Sequence, residues 1–145
     1  VSLREPLFMP AMHAPARMLH LDPITGRPVL SPVTIPCIAR MEAYAEKYRA
    51  ALTRRDVAIR DFYDLDYAIK KLGVQPRDTS LVELIKSKLD VPGNDPINVG
   101  QDRIMQLRGQ LEARLKPVLR EADYDAFDLE RAFAGVAEMA NHLSG

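Results

Sequence analysis

The chain has 145 residues, the length of one domain, and its 47% hydrophobic and 28% charged residues are typical of a globular protein. Basic and acidic residues number 20 each, so the net charge is zero. This excludes a wholly basic nucleic-acid-binding surface but allows a local basic patch. No apolar run approaches the roughly 18 residues of a membrane-spanning helix, and no signal peptide is visible at the start. We therefore expect a cytoplasmic protein that does not enter a membrane.

Cysteine and histidine give little indication of chemistry. The single cysteine, Cys37, excludes an internal disulfide and a multi-cysteine metal site, and a small buried side chain is favoured over a reactive thiol. His13, His20 and His142 are too widely spaced for a metal site. No P-loop, GxSxG or GxGxxG pattern occurs. We predict no metal site within this chain.

Residues 1–36 carry seven of the 11 prolines, which excludes a long helix there. Two short apolar stretches, 18–21 and 28–30, flank a turn at 22–27 with Pro early and Gly late, and they predict a β-hairpin. A further short strand is predicted at 33–35. Strands this short are not stable alone, so we expect the sheet to continue in another segment or a partner.

The rest of the sequence predicts about five helices, because apolar residues recur there at i+3 and i+4. The first follows Pro36 with an apolar stripe, the second ends at Gly73, and the third begins at a capping box of Ser80 and Glu83. The stripe of the first helix is Ile38, Met41, Ala45, Tyr48 and Leu52, and the core face of the second is Phe62, Leu65, Ile69 and Leu72. The predicted helices cover residues 37–55, 57–72, 80–89, 99–116 and a last stretch from about 125. We expect an α+β fold, mainly α, with a strand and loop segment (1–36) and a helical part (37–145) in a single domain, 1–145.

A basic cluster lies where the first predicted helix ends and the second begins. Between positions 40 and 60 there are six basic and three acidic residues, an excess of +3, and three aspartates follow at once. The basic residues are Arg40, Lys47, Arg49, Arg54, Arg55 and Arg60. Arginine and lysine bind phosphates, and aspartates bind Mg²⁺ or take a proton from an attacking hydroxyl. Phosphoryl and nucleotidyl transfer require both kinds of group.

On spacing alone, a structural role for these residues is favoured. Asp61 and Asp64 are i, i+3 neighbours near the start of a helix, where acids suit the helix dipole, and Arg60 can pair with Asp64 at i, i+4. Tyr63 and Tyr67 could stack on a nucleic-acid base, although helical aromatic residues more often belong to a core.

The sequence resembles the AbiEii/AbiGii family, which comprises nucleotidyltransferase-like toxins of type IV toxin–antitoxin and abortive-infection systems. The resemblance lies in residue types, order and spacing, and it covers about residues 1–72 well and the helical tail loosely. The matching residues are Ala45-Glu46-Lys47, Ala50-Ala51-Leu52, Arg55 and Arg60-Asp61-Phe62-Tyr63-Asp64-Leu65.

The resemblance implies a nucleotidyltransferase that transfers nucleotides from a nucleoside triphosphate to RNA, such as tRNA, with Mg²⁺ bound in the full-length protein, and a cognate antitoxin as partner. It implies Asp61 and Asp64 as catalytic residues and Lys47 as a phosphate contact, and the basic cluster adds Arg54, Arg55 and Arg60. Family members also carry a Gly-Ser or Gly-Gly element followed by paired acids. This sequence lacks that element, so we expect the chain to be the C-terminal part of a protein whose catalytic core precedes it.

A second hypothesis is a non-enzymatic helical interaction module or accessory protein. It predicts that the strands of 1–36 or the apolar stripe of 129–143 are exposed, and that nucleotide does not bind. The transferase hypothesis instead predicts that Lys47 points to the same side as Asp61 and Asp64.

Overall fold

The computed structural model describes residues 6–16 and 19–145, and these form two compact units, 1–42 and 43–145. The described part is mainly helical, with a two-stranded antiparallel sheet near the N-terminus. The predicted α+β, mainly α class is thereby confirmed. No helix among the described residues is both long and apolar enough to cross a membrane. The single-domain assignment stays a prediction.

The first unit contains β1 (Met12–Ala16) and β2 (Val33–Cys37), which pair antiparallel with Met12 opposite Cys37 and Ala16 opposite Val33. β1 was not predicted because it contains Pro15. Proline is tolerated here because both strands of a two-stranded sheet are edges. The strand predicted at 33–35 is confirmed and extends to Cys37. Pro36 and Cys37 therefore belong to a strand, and their prediction as a helix start was wrong.

The turn predicted at 22–27 is present, although the flanking strands are not. Asp22 accepts hydrogen bonds from the backbone N–H groups of Ile24 and Thr25 at 2.9 and 2.7 Å, and Gly26 takes a positive φ of 64°. A single bridge between Leu21 and Pro28 replaces the predicted hairpin strands. Residues 17–18, where the first of these strands was predicted to begin, lie outside the described residues.

Helices α1 (Arg40–Thr53) and α2 (Ile59–Leu72) carry the predicted apolar faces. Ala45, Tyr48 and Leu52 of α1 are fully buried, as the stripe predicts. Ile38 precedes the helix and is 45% exposed, so its place in that stripe was wrong. The basic residues of α1 and the acids of α2 are thus close in sequence, separated by the short connection 54–58.

Gly73 ends α2 as predicted. Its φ of 70° is left-handed, and the backbone N–H of Val74 donates to the carbonyl of Ala68 at 3.1 Å. The Gly73 N–H donates to the same carbonyl, and this bond, six residues to one, is typical of a glycine-capped helix end. Leu72, predicted to face the core, is 47% exposed because the helix is already ending there.

Helix α3 (Thr79–Leu89) begins one residue before the predicted capping box. Asp78 is its N-cap, and its carboxylate accepts hydrogen bonds from the backbone N–H groups of Ser80 and Leu81. Ser80 as N-cap was therefore wrong. Aspartate caps a helix as well as serine does, and here it lies two residues earlier in the chain.

The helix predicted over 99–116 is shorter and irregular. α4 (Gln101–Arg108) is followed by a π-helical turn (Leu111–Leu115) and a 3₁₀ turn (Lys116–Val118) that contains Pro117. The last helix, predicted from about 125, is α6 (Leu129–Ser144), and a short helix that was not predicted, α5 (Glu121–Asp125), precedes it. Asp128 caps α6 by accepting a hydrogen bond from the backbone N–H of Arg131 at 2.9 Å.

Helix α6 packs against α2 in the core of the second unit. Phe62 and Phe133 stack with ring centroids 6.0 Å apart, and Val136 and Met139 are buried. The interaction-module hypothesis predicted exposure either of this α6 stripe or of the N-terminal strands. The α6 stripe is largely buried, whereas the N-terminal segment exposes several large apolar side chains, among them Leu19 and Ile24.

Candidate functional site

The second unit brings Lys47 of α1 against Asp61 and Asp64 of α2. The Lys47 Nζ atom lies 2.9 Å from Asp61 Oδ1 and 2.8 Å from Asp64 Oδ2. The two aspartates are three residues apart on a helix, so their carboxylates project from one side and one ammonium reaches both. The predicted orientation of Lys47 toward these carboxylates is therefore observed.

Arg54 completes a four-residue ion cluster that we call the α1–α2 cluster: Lys47, Arg54, Asp61 and Asp64. Arg54 Nη1 lies 3.1 Å from Asp61 Oδ2, so each oxygen of Asp61 is bonded to a different cation. The two cations and two carboxylates sum to zero charge. Lys47 and Arg54 remain 38% and 49% exposed in their side chains, so a ligand can reach both.

The two aspartates differ in accessibility. The Asp61 side chain is only 7% exposed and lies in the first turn of α2, where the helix dipole stabilises a negative charge. The Asp64 side chain is 43% exposed, and its Oδ1 accepts no hydrogen bond from the described residues. Asp61 can therefore hold the two cations in place, while Asp64 retains a free carboxylate oxygen that faces solvent.

The protonation of Lys47 follows from two opposing effects. Partial burial acts to lower the pKa of Lys47, but the hydrogen bonds and Coulomb attraction of Asp64 and Asp61 outweigh it, so the pKa is raised above its usual value of 10.5. Lys47 is accordingly a fixed cation at neutral pH, suited to bind phosphate and unsuited to act as a general base.

Two other predicted phosphate contacts lie outside the cluster. Arg55 and Arg60 are exposed, and neither forms a hydrogen bond or ion pair with the described residues. The i, i+4 pair between Arg60 and Asp64, considered as a structural role, does not form, and Asp64 pairs with Lys47 instead. Arg55, in the connection before α2, and Arg60, in the first turn of α2, have no ion-pair partner among the described residues.

The described residues do not by themselves fit a resident Mg²⁺ ion. Both oxygens of Asp61 are taken by cations and only Asp64 Oδ1 is open, which gives a single available ligand atom. No group of three or more histidine, cysteine or acidic side chains in the described ranges is placed to hold a metal. Mg²⁺ bound here would need the oxygens of a substrate or of another segment.

Sequence reasoning missed the network on the other side of α1. Arg49 donates to Glu46 (Nε to Oε1, 3.1 Å) and to Asn94 Oδ1 at 2.8 Å, and the buried Lys88 Nζ lies 3.5 Å from Glu46 Oε2. Asn94 in turn donates to three carbonyl oxygens at the end of α3, those of Lys88, Leu89 and Val91. Glu46 and Arg49 therefore anchor α1 to α3. The i, i+3 spacing of Glu46 and Arg49 was the one signal of this role.

Comparison with protein-family models gives one match, to the family described as nucleotidyl transferase AbiEii toxin, type IV TA system. The match covers residues 1–136, which includes every residue of the α1–α2 cluster. No curated protein and no solved structure matches the chain.

Proposed function

Because this chain belongs to the AbiEii family of nucleotidyl transferase toxins from type IV toxin–antitoxin systems, we propose that the α1–α2 cluster is part of its nucleotidyl-transfer site. The observation that carries this proposal is the convergence of Lys47 on Asp61 and Asp64 at 2.9 and 2.8 Å. Residues fourteen and seventeen positions apart meet in one half-exposed cluster, which supplies both kinds of charge that the reaction requires.

Each member of the cluster has a proposed role. Lys47 binds a phosphate of the nucleoside triphosphate, because it is a permanent cation within reach of solvent. Asp64 accepts the proton of the acceptor hydroxyl through its free Oδ1. Asp61 is a positioning residue that holds Lys47 and Arg54, since both of its oxygens are already engaged. Arg54, Arg55 and Arg60 add cations for the remaining phosphate oxygens.

The transfer step balances with these groups. The acceptor hydroxyl oxygen bonds to the α-phosphorus, the bond from that phosphorus to the bridging oxygen breaks, and pyrophosphate leaves with the bond electrons. The hydroxyl proton passes to Asp64. When bound, Mg²⁺ would neutralise phosphate charge; among the described residues, Asp64 could hold it together with substrate oxygens. RNA such as tRNA is the proposed acceptor.

A triphosphate would enter the cluster by replacing one ion-pair partner of Lys47. Lys47 is shared by two carboxylates, one of which is 43% exposed. Exchange of the solvent-facing contact to Asp64 for a phosphate oxygen keeps Lys47 neutralised and releases Asp64 for proton transfer. The exposed Arg55 and Arg60 then offset the additional negative charge.

Growth inhibition by the toxin, together with labelling of RNA by a radiolabelled nucleoside triphosphate, tests the proposal. Lys47→Ala and Asp64→Asn should abolish both, while Lys86→Ala and Asp95→Asn, which change exposed residues of the same types elsewhere, should leave both intact. Full toxicity and labelling in Lys47→Ala and Asp64→Asn would remove the assignment.

One observation favours the second hypothesis, a protein-interaction module. The N-terminal unit exposes several large apolar side chains, including Leu19 at 97% and Ile24 at 92%. The family implies a cognate antitoxin, and this segment is a candidate surface for a protein partner. Titration with each of the four nucleoside triphosphates separates the two hypotheses, because an interaction module binds none of them.

A further inference from the structure

An aromatic and basic strip runs along α2 from the residue next to Asp64 toward the end of the helix. We call it the α2 strip: Tyr63, Tyr67, Lys70 and Lys71. The Tyr63 and Tyr67 rings lie 6.2 Å apart, and Phe127 meets Tyr63 edge-on at 5.6 Å. Phe127 thus packs against the ring of Tyr63. Tyr67 keeps 43% of its surface exposed.

The strip is continuous with the proposed transfer site. Asp64, Tyr67 and Lys71 lie three and four residues apart, so they share one face of α2. The helical rise places Lys71 about 10 Å beyond Asp64 along the helix axis. A ligand bound along this face would therefore extend from the lysines, across the tyrosine rings, to the open carboxylate oxygen of Asp64.

The charge of the strip favours an anion. Asp66 and Asp123 line the shallow depression between the rings and the lysines, but Arg131 binds Asp66 with both nitrogens at 2.9 Å, and Arg120 binds Asp123 at 2.7 Å. The Lys70 Nζ atom lies 3.8 Å from Asp66 Oδ2 and donates a hydrogen bond to the carbonyl oxygen of Ala126 at 3.3 Å. Lys71 has no ion-pair partner among the described residues. Both acids are paired with arginines, so the two lysines can bind an anion.

The depression is too small to enclose a ligand, with a volume of about 40 Å³. A ligand must therefore lie on the surface, with a flat group against the exposed ring of Tyr67. Neither tyrosine hydroxyl is hydrogen-bonded to a described residue. Exposed aromatic rings next to lysines bind unpaired nucleic acid, because every base offers a flat face and every phosphate a negative charge.

From these contacts we propose that the α2 strip is the binding surface for the single-stranded end of an RNA acceptor. A base stacks on Tyr67, whose ring Tyr63 and Phe127 support, Lys70 and Lys71 bind the adjoining phosphates, and the terminal hydroxyl is directed toward Asp64. This inference rests on the proposed function for its acceptor and goes beyond it by assigning the residues that hold the strand.

Binding of a short fluorescent single-stranded RNA, followed by anisotropy without any nucleotide, tests the strip apart from catalysis. Tyr67→Ala should weaken binding about tenfold through the loss of one stacked base. Tyr67→Phe should bind like the unaltered protein, because it keeps the ring. Lys71→Ala should lower the slope of log affinity against log salt by about 0.7, as for one lost phosphate contact on a single strand.

Lys86→Ala, an exposed helical lysine on α3, is the matched control and should bind like the unaltered protein. The proposal is overturned if the protein does not bind the RNA, if Tyr67→Ala binds like Lys86→Ala, or if the same RNA as a duplex binds as tightly. Lys47→Ala separates the two proposals. If it still transfers nucleotides, the transfer site is wrong and the strip is unaffected. If it is inactive while Tyr67→Ala binds normally, the strip alone is wrong.

Discussion

At the scale of single residues, Lys47, Asp61 and Asp64 could be placed in one site from the sequence, because the resemblance to the AbiEii/AbiGii family implies it. Their spacing alone favoured a structural role. The difference between the two aspartates was not predictable, because both lie near the start of α2. Only the packing shows that Asp61 is enclosed between Lys47 and Arg54, while Asp64 faces solvent.

The arginines show the limit of reasoning from charge alone. Arg54, Arg55 and Arg60 are equivalent in a count of local charge, yet only Arg54 contacts the cluster. The direction of Arg55 depends on the connection between α1 and α2, whose backbone follows no periodic pattern, and Arg60 lies in α2 away from the cluster's contacts. The sequence predicted the basic patch and could not divide it into paired and free cations.

Tyr48 offers a test of burial at one residue. Its hydroxyl is buried and has no hydrogen-bond partner among the described residues. We predict that Tyr48→Phe raises the free energy of unfolding by about 1 kcal/mol at pH 7, because the desolvated hydroxyl is removed and the ring is kept. Urea denaturation of both proteins measures this change, and a variant less stable than the unaltered protein would contradict it.

The same residue predicts a pH dependence. Burial, with the repulsion of Glu138 added, raises the pKa of Tyr48 from 10.0 to about 12. The unfolded chain loses the phenol proton near pH 10 and the folded chain does not, so the stability is fully present below pH 10 and falls as the pH rises toward 12. Tyr48→Phe should lose less stability over this range, which denaturation at pH 9 and at pH 11 compares.

At the scale of elements, existence was easier to predict than ends. The apolar stripes of α1, α2 and α6 were sufficient, because periodicity reflects the buried face. The predicted start of α3 was wrong because Asp78 and Ser80 are both good N-cap residues, and the sequence pattern favoured Ser80. The division after α4 was missed because its apolar residues stay in helical register, and the π-helical turn arises where Pro117 prevents the helix from continuing.

Two glycines provide matched tests of helix geometry. Gly73 has a φ of 70° with no atom within 4 Å of an added methyl group, so Gly73→Ala changes backbone strain alone and should destabilise by about 1 kcal/mol. Gly135 lies within α6, where an added Cβ would meet Ile69 Cδ1 at 3.9 Å, an ordinary contact. Gly135→Ala should therefore stabilise by about 0.5 kcal/mol. Equal shifts in the melting temperature of the two variants would contradict this account.

At the scale of the whole molecule, the two units differ in how their side chains are covered. β1 and β2 were predictable only in part, because strands separated by sixteen residues pair through contacts that no local pattern reveals. The first unit holds its turn and strands largely through backbone hydrogen bonds, whereas α2 and α6 bury Phe62, Val136 and Met139 in a packed core.

This difference predicts unequal local stability. A two-stranded sheet with exposed side chains opens at a lower free energy than a packed helical core. In hydrogen–deuterium exchange, the amides of β1 and β2 should exchange well before those in the middle of α2 and α6. Equal protection in the isolated protein would mean that the strands are covered by more than the described residues provide.

The central claim is that the α1–α2 cluster is part of the nucleotidyl-transfer site, in which Lys47 binds a phosphate of the nucleotide and Asp64 accepts the proton of the acceptor hydroxyl. The most direct measurement compares the binding of a nucleoside triphosphate with the rate of its transfer in Lys47→Ala, Asp64→Asn and the control Asp95→Asn. We predict that Asp64→Asn lowers the transfer rate at least about 100-fold without weakening nucleotide binding, since only the proton acceptor is lost. Lys47→Ala should weaken nucleotide binding itself. Unchanged binding and transfer in both variants would contradict the account.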